Sequence, residues 1–280
     1  MKAYHENRLY HSSLPFSSFL SHNMNFLAHW HNDLEFVYVC EGSIRMGINS
    51  ESRLLHQGDM AFCSSGDIHY YDSSDYPSTI LLLIFNPQLV GSPGGWPKDI
   101  RLISPFISAS NQESETAAGG VLPAGASELM LQLHRESKDQ LPQHELFITG
   151  MLYELCGMIL RHLPFEPADQ KKDKRRMTSM KVMQTVLDYL ESNYSSVITL
   201  EDAAKQADMS LFYFSRFFKS MTGMSYISYL NHIRVNKAEE MLLNSDKPII
   251  DIALDCGFTN VRTFNRVFKQ FRNRTPSSFR

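Results

Sequence analysis

The chain has 280 residues, of which 43% are hydrophobic and 20% charged, and its formal net charge is −3 at pH 7. This composition excludes a disordered or fibrous chain, and no apolar run reaches the roughly 20 residues of a membrane-spanning helix. The first residues lack the charged-then-apolar pattern of a signal segment, so we expect a cytoplasmic protein without membrane contact. A length of 280 residues is near the upper limit for one hydrophobic core, which favours two domains.

Charge is distributed unevenly along the chain. Residues 178–280 hold 13 Lys or Arg and 10 Asp or Glu, whereas residues 1–165 hold 9 and 17. The acidic part is therefore a poor candidate for a nucleic-acid surface. The four cysteines lie in unrelated segments without a close pair, which predicts reduced structural thiols: Cys40, Cys63, Cys156 and Cys256.

Residues 24–90 contain short apolar runs separated by turns. One run ends at Gly42, residues 43–49 alternate between apolar and polar, and further apolar runs occupy 60–63 and 80–85. Many short strands at this spacing predict a β-sandwich or β-barrel.

Within these strands lies the pattern His29-x-His31-x3-Glu35, followed after two glycine turns by His69. Side chains alternate along an extended chain, so the first three can point to one face, and the fourth can meet them from a neighbouring strand. Three imidazoles and one carboxylate suit Zn, Ni, Mn or Fe.

The pattern resembles the two cupin motifs, and it includes all four metal-ligand positions of that family. It departs from them at Ser64, where the family usually has Pro, and at Ser73, where enzymatic cupins often have Asn. The resemblance leaves two alternatives open: a divalent metal on the four residues, or a metal-free barrel that requires no cofactor. In the second, the effector site comprises His31, Glu35 and His69, and Trp30 and Tyr70 either stack on a sugar face or pack in the barrel.

Two helices are predicted after the barrel, over 126–141 and 144–163, and residues 104–125 are predicted to form a mobile loop. The second helix carries an apolar stripe that can cover the barrel and still contact a second copy of the chain. The alternative is an intramolecular helix pair. Residues 166–177 are polar, basic and preceded by Pro164, so we predict a linker there, between domains at 1–165 and 178–280.

The last hundred residues repeat one pattern. Ser210-Leu-Phe-Tyr-Phe-Ser-Arg-Phe-Phe-Lys219 recurs as Asn260-Val-Arg-Thr-Phe-Asn-Arg-Val-Phe-Lys269, and both copies keep Phe-x-Arg-x-Phe-Lys. Packing alone would preserve the Phe residues and be indifferent to the exposed Arg and Lys. The repeat therefore predicts two copies of one functional unit, a helix-turn-helix.

In the first unit, Thr199 is the predicted cap of a helix over 200–206, and Ser210 caps a second helix that ends at Gly223. Helical spacing assigns four residues to the buried face: Leu211, Phe214, Phe217 and Phe218. The open face then holds Phe212, Ser215, Arg216 and Lys219.

In the second unit, the first helix has the apolar face Ile249, Ile250, Ile252 and Ala253, and residues 256–258 form the turn. Asn260 caps the second helix, whose open face holds Arg262, Asn265, Arg266 and Lys269. From Thr259 to Arg280 there are six Arg or Lys residues and no acid, which predicts an unopposed positive surface and the larger share of the phosphate contacts. Arg and Asn on an exposed helix suit contacts with guanine and adenine in the major groove.

Residues 179–280 resemble the DNA-binding domain of AraC/XylS-type transcription regulators. The resemblance rests on the two units, on a joining helix over 227–243 that carries Arg234, and on a C-terminal signature with two departures, Asn273 for Gly and Phe279 for Tyr. It implies base contacts by Phe212, Ser215 and Arg216 in the first unit and by Arg262, Asn265 and Arg266 in the second. Phe212 either contacts a thymine methyl group or packs on the joining helix.

The predicted fold is α+β with two domains: an N-terminal cupin-like β-barrel (jelly roll) with following helices, and an all-α C-terminal domain with tandem helix-turn-helix units. The resemblance implies a sequence-specific transcription activator of carbohydrate-metabolism genes that binds double-stranded DNA as a homodimer, responds to a small effector such as a sugar, and acts with RNA polymerase. A metal-dependent cupin enzyme fused to a DNA-binding domain is the alternative. A barrel that serves only for assembly is the third.

Overall fold

A computed structural model describes residues 10, 14–91, 96–97, 99–109 and 119–279. Its contacts divide the chain into two units, with the boundary between Met180 and Lys181. Among the helices of this described part, none combines the length and the apolar character that crossing a membrane requires.

The first unit is built on antiparallel strands. They are β1 (Phe16–His22), β2 (Phe26–His29), β3 (Leu34–Ile48), β4 (Glu51–His56), β5 (Met60–Cys63), β6 (His69–Asp72), β7 (Ser78–Phe85), β8 (Ile100–Leu102), β9 (Phe106–Ile107) and β10 (Phe165–Pro167). A short 3₁₀ helix, Pro87–Val90, follows β7.

Strand β3 belongs to both halves of the sheet. Its first half pairs with β5 and β7, and its second half pairs with β4 and β6. The register shifts between Val39 and Glu41, next to Gly42, which has a φ of 72°. A side chain at Gly42 would collide with the carbonyl oxygen of Pro77, so glycine is required where the strand bends. The bend wraps the sheet into the predicted barrel.

The period of two in β3 separates two apolar layers. Val37, Met46 and Ile48 belong to a cluster inside the barrel, whereas Phe36 belongs to a cluster on the outer face. The outer cluster is covered by helices α1 (Ala126–Asp139) and α2 (His144–His162), close to the predicted bounds. Each fully buried side chain of this size stabilises the fold by about 1.5–3 kcal/mol.

Two predictions about the residues between the barrel and the helix-turn-helix units need correction. Residues 106–107 of the predicted loop form β9, while residues 110–118 lie outside the described residues. The predicted linker 166–177 contributes to β10, which pairs with β8, and to helix α3 (Gln170–Asn193). The prolines come before the helix and do not interrupt it, and Asp169 Oδ1 accepts hydrogen bonds from two backbone N–H groups of the first turn.

The second unit contains the remaining turns of α3 and six further helices. They are α4 (Leu200–Gln206), α5 (Leu211–Thr222), α6 (Tyr226–Asn244), α7 (Ile249–Asp255), α8 (Val261–Arg272) and α9 (Pro276–Phe279). These bounds confirm the two predicted helix pairs and the joining helix, now α6. The repeated Phe residues are fully buried: Phe214 and Phe218 pack on Tyr226 at the start of α6, and Phe264 and Phe268 belong to the core between α6, α7 and α8.

Candidate DNA-binding surface and barrel site

The first helix-turn-helix unit begins at a capping box. The Thr199 hydroxyl accepts the N–H of Asp202, and the Asp202 carboxylate accepts the N–H of Thr199, which confirms the predicted cap. Asp208 makes the turn with a φ of 52°. Ser210 is the N-cap residue of α5 but makes no side-chain cap bond, and Gly223 ends the helix in the left-handed region.

Helix α5 exposes the four residues of its predicted open face: Phe212, Ser215, Arg216 and Lys219. Phe212 is 73% exposed, and the Arg216 guanidinium lies 5.8 Å from its ring centroid, so the ring is free of the joining helix and supports the arginine. The buried face is narrower than predicted. It consists of Phe214, Phe218, Met221 and Thr222, at i, i+4, i+7 and i+8, which leaves Leu211 exposed and Phe217 half-buried at its edges.

The second unit has the same turn with one extra residue. Phe258 N–H bonds to Ala253 O as Met209 N–H bonds to Ala204 O, but Thr259 is inserted before the next helix. Asn260 caps α8 by accepting the N–H of Thr263 at 2.8 Å, as predicted. In α7 the predicted face is wrong at one residue of four, since Ile249 also packs against the core. Ile252 and Ala253 are buried, whereas Ile250 is 54% exposed, because the buried stripe of this seven-residue helix is only one turn wide.

Helix α8 also exposes its predicted face: Arg262, Asn265, Arg266 and Lys269. The prediction of a wholly unopposed positive surface is wrong at one residue. Arg272 Nε lies 2.6 Å from Glu239 Oε2, and its Nη2 donates to Asn236 Oδ1, both on α6. This arginine fixes α8 against the joining helix, and the positive charge of the open face comes from Arg262, Arg266 and Lys269.

Arg234 of α6 explains why the joining helix carries a buried arginine. It is only 8% exposed, and its guanidinium donates to the carbonyl oxygens of Tyr194 and Ser196. It also lies over the ring of Phe258, the residue after the glycine of the second turn. Gly257 has a φ of 81°, and a Cβ there would lie 2.5 Å from the oxygen of Tyr194. The end of α3, the joining helix and the second turn are thus locked together.

These two surfaces have the chemistry that DNA needs. Each is a short, exposed helix of one helix-turn-helix unit, with Arg at the same position, 216 or 266, and Lys three residues later. Arg can bond guanine through two N–H groups, Asn can bond adenine, and Lys contacts phosphate.

The predicted cupin quartet comes together inside the barrel. His29 and His69 face each other across β2 and β6, with ring centroids 4.1 Å apart, and one ring nitrogen each of His29, His31 and His69 lies within 4.8 Å of the others. Glu35 Oε2 lies 2.9 Å from His31 Nε2 and 3.5 Å from His69 Nε2. All four side chains are buried.

The backbone orients all three imidazoles in the same way. The Nδ1 atoms of His29, His31 and His69 lie 2.9–3.0 Å from the carbonyl oxygens of Leu27, Asp33 and Asp67. A carbonyl only accepts, so each Nδ1 carries the proton and each Nε2 points into the cluster. This is the arrangement in which proteins hold metal-binding histidines.

Glu35 is the charged centre of the cluster. Burial alone would raise its pKa, but the neighbouring His69 and the hydrogen bond from His31 outweigh burial and hold it well below the usual range. Burial lowers the pKa of His69, and the attraction of Glu35 reverses the effect and raises it. For His29, burial and then the neighbouring His69 and His31 depress the pKa strongly. The cluster therefore combines a carboxylate with a neutral His29.

Two residues that were predicted to bind the effector lie outside the His and Glu cluster, and one residue that contacts the cluster was not predicted. Tyr70 alternates with the inward-facing His69 and Tyr71, and its ring covers Gly47 on the outer face. Trp30 alternates with His29 and His31 in the same way and is half-buried. Tyr71 is the tyrosine that faces the cluster, where its hydroxyl donates to Glu35 Oε1. Strand parity with His69 was the signal that could have selected it.

Comparison with known proteins matches both units. A cupin domain model matches residues 21–85, and a helix-turn-helix domain model matches residues 203–280. The regulatory protein SoxS of Salmonella typhimurium is 30% identical over 104 residues, which cover 37% of this chain and 97% of SoxS. The chain belongs to the AraC family of DNA-binding transcription regulators.

Two relatives extend over most of this chain. The transcriptional activator RhaR of Escherichia coli is 27% identical over 263 residues, which cover 91% of this chain and 87% of RhaR. The transcriptional regulator YdeC of Bacillus subtilis is 24% identical over 254 residues, 90% of this chain and 85% of YdeC. The similarity to these two regulators therefore extends over both units of this chain.

Proposed function

We propose that this chain is an activator whose two recognition helices, α5 and α8, bind DNA under the control of the barrel site. The observation that carries the proposal is the pairing of an exposed Arg face on each recognition helix with a buried His and Glu cluster in the other unit. Activation is supported by the similarity to RhaR, which is a transcriptional activator. Because the target is the chromosome, we expect a cytoplasmic protein that acts with RNA polymerase, and transcription from a bound promoter in a purified system would test this.

The DNA contacts can be tested by selecting binding sites from random double-stranded DNA. We expect each chain to enrich two short sequence blocks about one helical turn, or roughly 10 base pairs, apart. A chain with Arg216→Ala and Arg266→Ala should keep weak, salt-sensitive binding and lose the enrichment. Enrichment that survives both changes would contradict the assignment.

For the barrel we propose a divalent metal of the Zn, Ni, Mn or Fe class. The residues fit: His29, His31 and His69 present their Nε2 atoms, and Glu35 supplies an oxygen. The three ligand nitrogens already lie within 4.8 Å of one another, and Glu35 Oε2 lies 2.9 Å from His31 Nε2, so the four groups are close enough to share one ion of this class. A bound metal would take the place of the hydrogen bond between His31 Nε2 and Glu35 Oε2.

A small hydroxylated effector such as a sugar is the second candidate for the same residues. Glu35 already accepts a hydroxyl from Tyr71, and His31 and His69 approach its other oxygen, so the cluster can bond a further hydroxyl without metal. The observation that favours this candidate is the Glu35 carboxylate, whose two oxygens already accept hydrogen bonds from the Tyr71 hydroxyl and from His31 Nε2.

One experiment separates the two candidates. Protein purified without an affinity tag is analysed for metal and then screened by thermal shift against divalent metals, sugars, sugar phosphates and organic acids, because a ligand of the folded state raises its stability. Stoichiometric metal that is lost in His29→Ala supports the metal. A metal-free protein whose His29→Ala variant keeps its fold and response excludes it, and a sugar hit then supports the effector.

We propose that the cluster senses its ligand and does not catalyse. The support is that the relatives which cover most of the chain are regulators. Incubation of metal-loaded protein with each compound that raises its melting temperature should return the compound unchanged. Product formation would favour the cupin enzyme instead.

We further propose that the regulator is a homodimer assembled through α2. One face of this helix packs on the barrel, while Leu146, Phe147 and Tyr153 are 71%, 60% and 52% exposed. Gly150 and Gly157 lie on the open side, and among the described residues nothing beyond their own helix backbone and chain neighbours lies within 4 Å of where a Cβ would stand, so a second helix can approach closely. Light scattering should show a dimer, and Gly150→Glu should give a monomer. The matched control is Gln132→Glu on the exposed side of α1.

A further inference from the structure

Asp67 is a buried carboxylate next to the barrel cluster and outside it. It is 3% exposed, and three donors satisfy it: Asn49 Nδ2 at 2.8 Å and Arg176 Nη2 at 2.9 Å on Oδ1, and the N–H of Ser64 at 2.9 Å on Oδ2. A buried carboxylate with this many donors has one position in which all bonds are made.

The same residue holds a cluster histidine through its main chain. The Asp67 carbonyl oxygen lies 3.0 Å from Nδ1 of His69, whose Nε2 faces Glu35. Asn49 ties the segment further, because its Oδ1 accepts the N–H of Ile68 at 3.1 Å. A turn or shift of His69 either breaks its bond to the Asp67 carbonyl or moves the backbone at Asp67, and this backbone carries the carboxylate.

Arg176, the third donor, belongs to α3. One turn earlier on the same helix, Asp173 Oδ1 lies 2.7 Å from Nε of Arg101 on β8. Two ion pairs thus hold the first turns of α3 within the barrel unit. The later turns carry Met183, Leu187 and other fully buried residues of the unit that contains the helix-turn-helix pairs.

We propose that the Asp67–Arg176 pair transmits the state of the barrel site to α3 and so to DNA binding. This rests on the proposed function of the barrel as a sensor. A ligand that pulls His69 Nε2 inward shifts the Asp67 carbonyl, and the carboxylate either keeps or loses Arg176. Loss leaves a buried charge with one donor fewer, so the pair switches between two states. Arg176 is a positioning residue, because it acts through Asp67 and touches no ligand.

The first test measures hydrogen exchange of the amides at 171–180 in the full chain. Arg176→Gln should speed their exchange by about tenfold or more, whereas the exposed neighbour variant Arg175→Gln should stay within about twofold of the parent. Asp67→Asn should reproduce the effect from the barrel side, and Arg176→Lys should restore part of the protection. Equal exchange in Arg176→Gln and Arg175→Gln would overturn the proposal.

The second test is a double-mutant cycle between His69→Gln and Arg176→Gln, with the same exchange measurement. His69→Gln alone should speed exchange at 171–180, and it should add nothing when Arg176 is already Gln. Additive effects would mean that the cluster does not act through this pair. If Asp67→Asn fails to fold, the cycle with Arg176→Gln and the rescue by Arg176→Lys still decide the question.

DNA affinity separates the coupling from a direct phosphate contact by the basic residues around Arg176. Coupling requires Arg176→Gln and Asp67→Asn to change affinity in the same direction and by a similar factor. A loss in Arg176→Gln alone, with a lower salt slope, would assign Arg176 to DNA and overturn the proposal. If the barrel is not a sensor, the pattern is different. His31→Ala then leaves DNA affinity unchanged, while Arg176→Gln and Asp67→Asn still speed amide exchange in α3.

Discussion

The two helix-turn-helix units share one scaffold but differ in what fixes them and in what they present. In the first, the capping box lies on α4 and the turn residue is Asp208; in the second, the side-chain cap lies on α8 and the turn residue is Gly257. A non-glycine residue is tolerated at Asp208, whereas Gly257 lies against the carbonyl oxygens of Tyr194 and Ser195. The second turn is therefore built into the core, and the first is free on one side.

The exposed faces of the two recognition helices, α5 and α8, also differ. Arg216 lies over Phe212, one turn earlier, whereas the equivalent pair in α8 is Arg262 and Arg266, two like charges at i, i+4. Such a pair destabilises a free helix by about 0.2–0.5 kcal/mol, and DNA relieves the repulsion. The two units thus keep the same buried Phe residues and expose different side chains, which suit them to different bases.

The largest expected effect tests the difference between the turns. Gly257→Ala combines a left-handed backbone with a contact of 2.5 Å to a backbone oxygen, so it should destabilise the second unit by about 2–4 kcal/mol. Asp208→Gly, the matched change in the first unit, should stay within about 0.5 kcal/mol. Thermal and urea unfolding of the full chain measure both. Equal losses would mean that the two turns are equally constrained.

Removing the recognition arginines tests the difference between the faces. Arg266→Ala and Arg216→Ala should each weaken specific binding by roughly 1–3 kcal/mol and relax preference at different base pairs of the site. Titrations against a set of single-base site variants give both quantities. If site preference were untouched in either variant, that unit would not contact bases.

Phe212 offers a finer test of the first face. Phe212→Leu keeps an apolar side chain but removes the ring under Arg216, so we expect a loss of about 1 kcal/mol at the base that Arg216 contacts. Phe212→Tyr retains the ring and should bind like the parent. A loss confined to thymine-containing steps would instead show that Phe212 contacts a methyl group itself.

The N-cap residues of the two recognition helices predict a smaller difference in stability between the units. Asn260→Ala removes a side-chain bond of 2.8 Å to the Thr263 N–H and should cost about 1 kcal/mol of stability. Ser210→Ala removes no such bond and should cost a few tenths of that value, roughly 0.3 kcal/mol. Chemical denaturation of the two variants provides the comparison.

Lysine substitutions give the smallest and least specific effect. Lys269→Ala should weaken all DNA sequences alike and lower the salt slope by about one unit, since it removes one phosphate contact. Lys219→Ala is the counterpart in α5. A larger loss for Lys269 would support the prediction that the second unit makes more of the phosphate contacts.

The sequence predicted the helices of the second unit almost to the residue, because caps, left-handed turns and a repeated apolar pattern are local signals. Local parity also grouped His29, His31 and Glu35. Local patterns did not predict contacts between residues that are far apart in the chain. Tyr71 reaches Glu35 across a separation of 36 residues, and Asp67 meets Arg176 across 109. Such pairings follow from strand register and helix docking, which no short pattern records.

The buried Arg234 sets a limit on how the DNA-binding unit can be separated from the barrel. Its two carbonyl partners, at Tyr194 and Ser196, belong to the segment that follows α3, 40 and 38 residues upstream. A fragment that begins at α4 would retain both recognition helices and strand this guanidinium in the core without acceptors. A fragment for structural or binding work should therefore begin before Met183, so that the buried turns of α3 are kept.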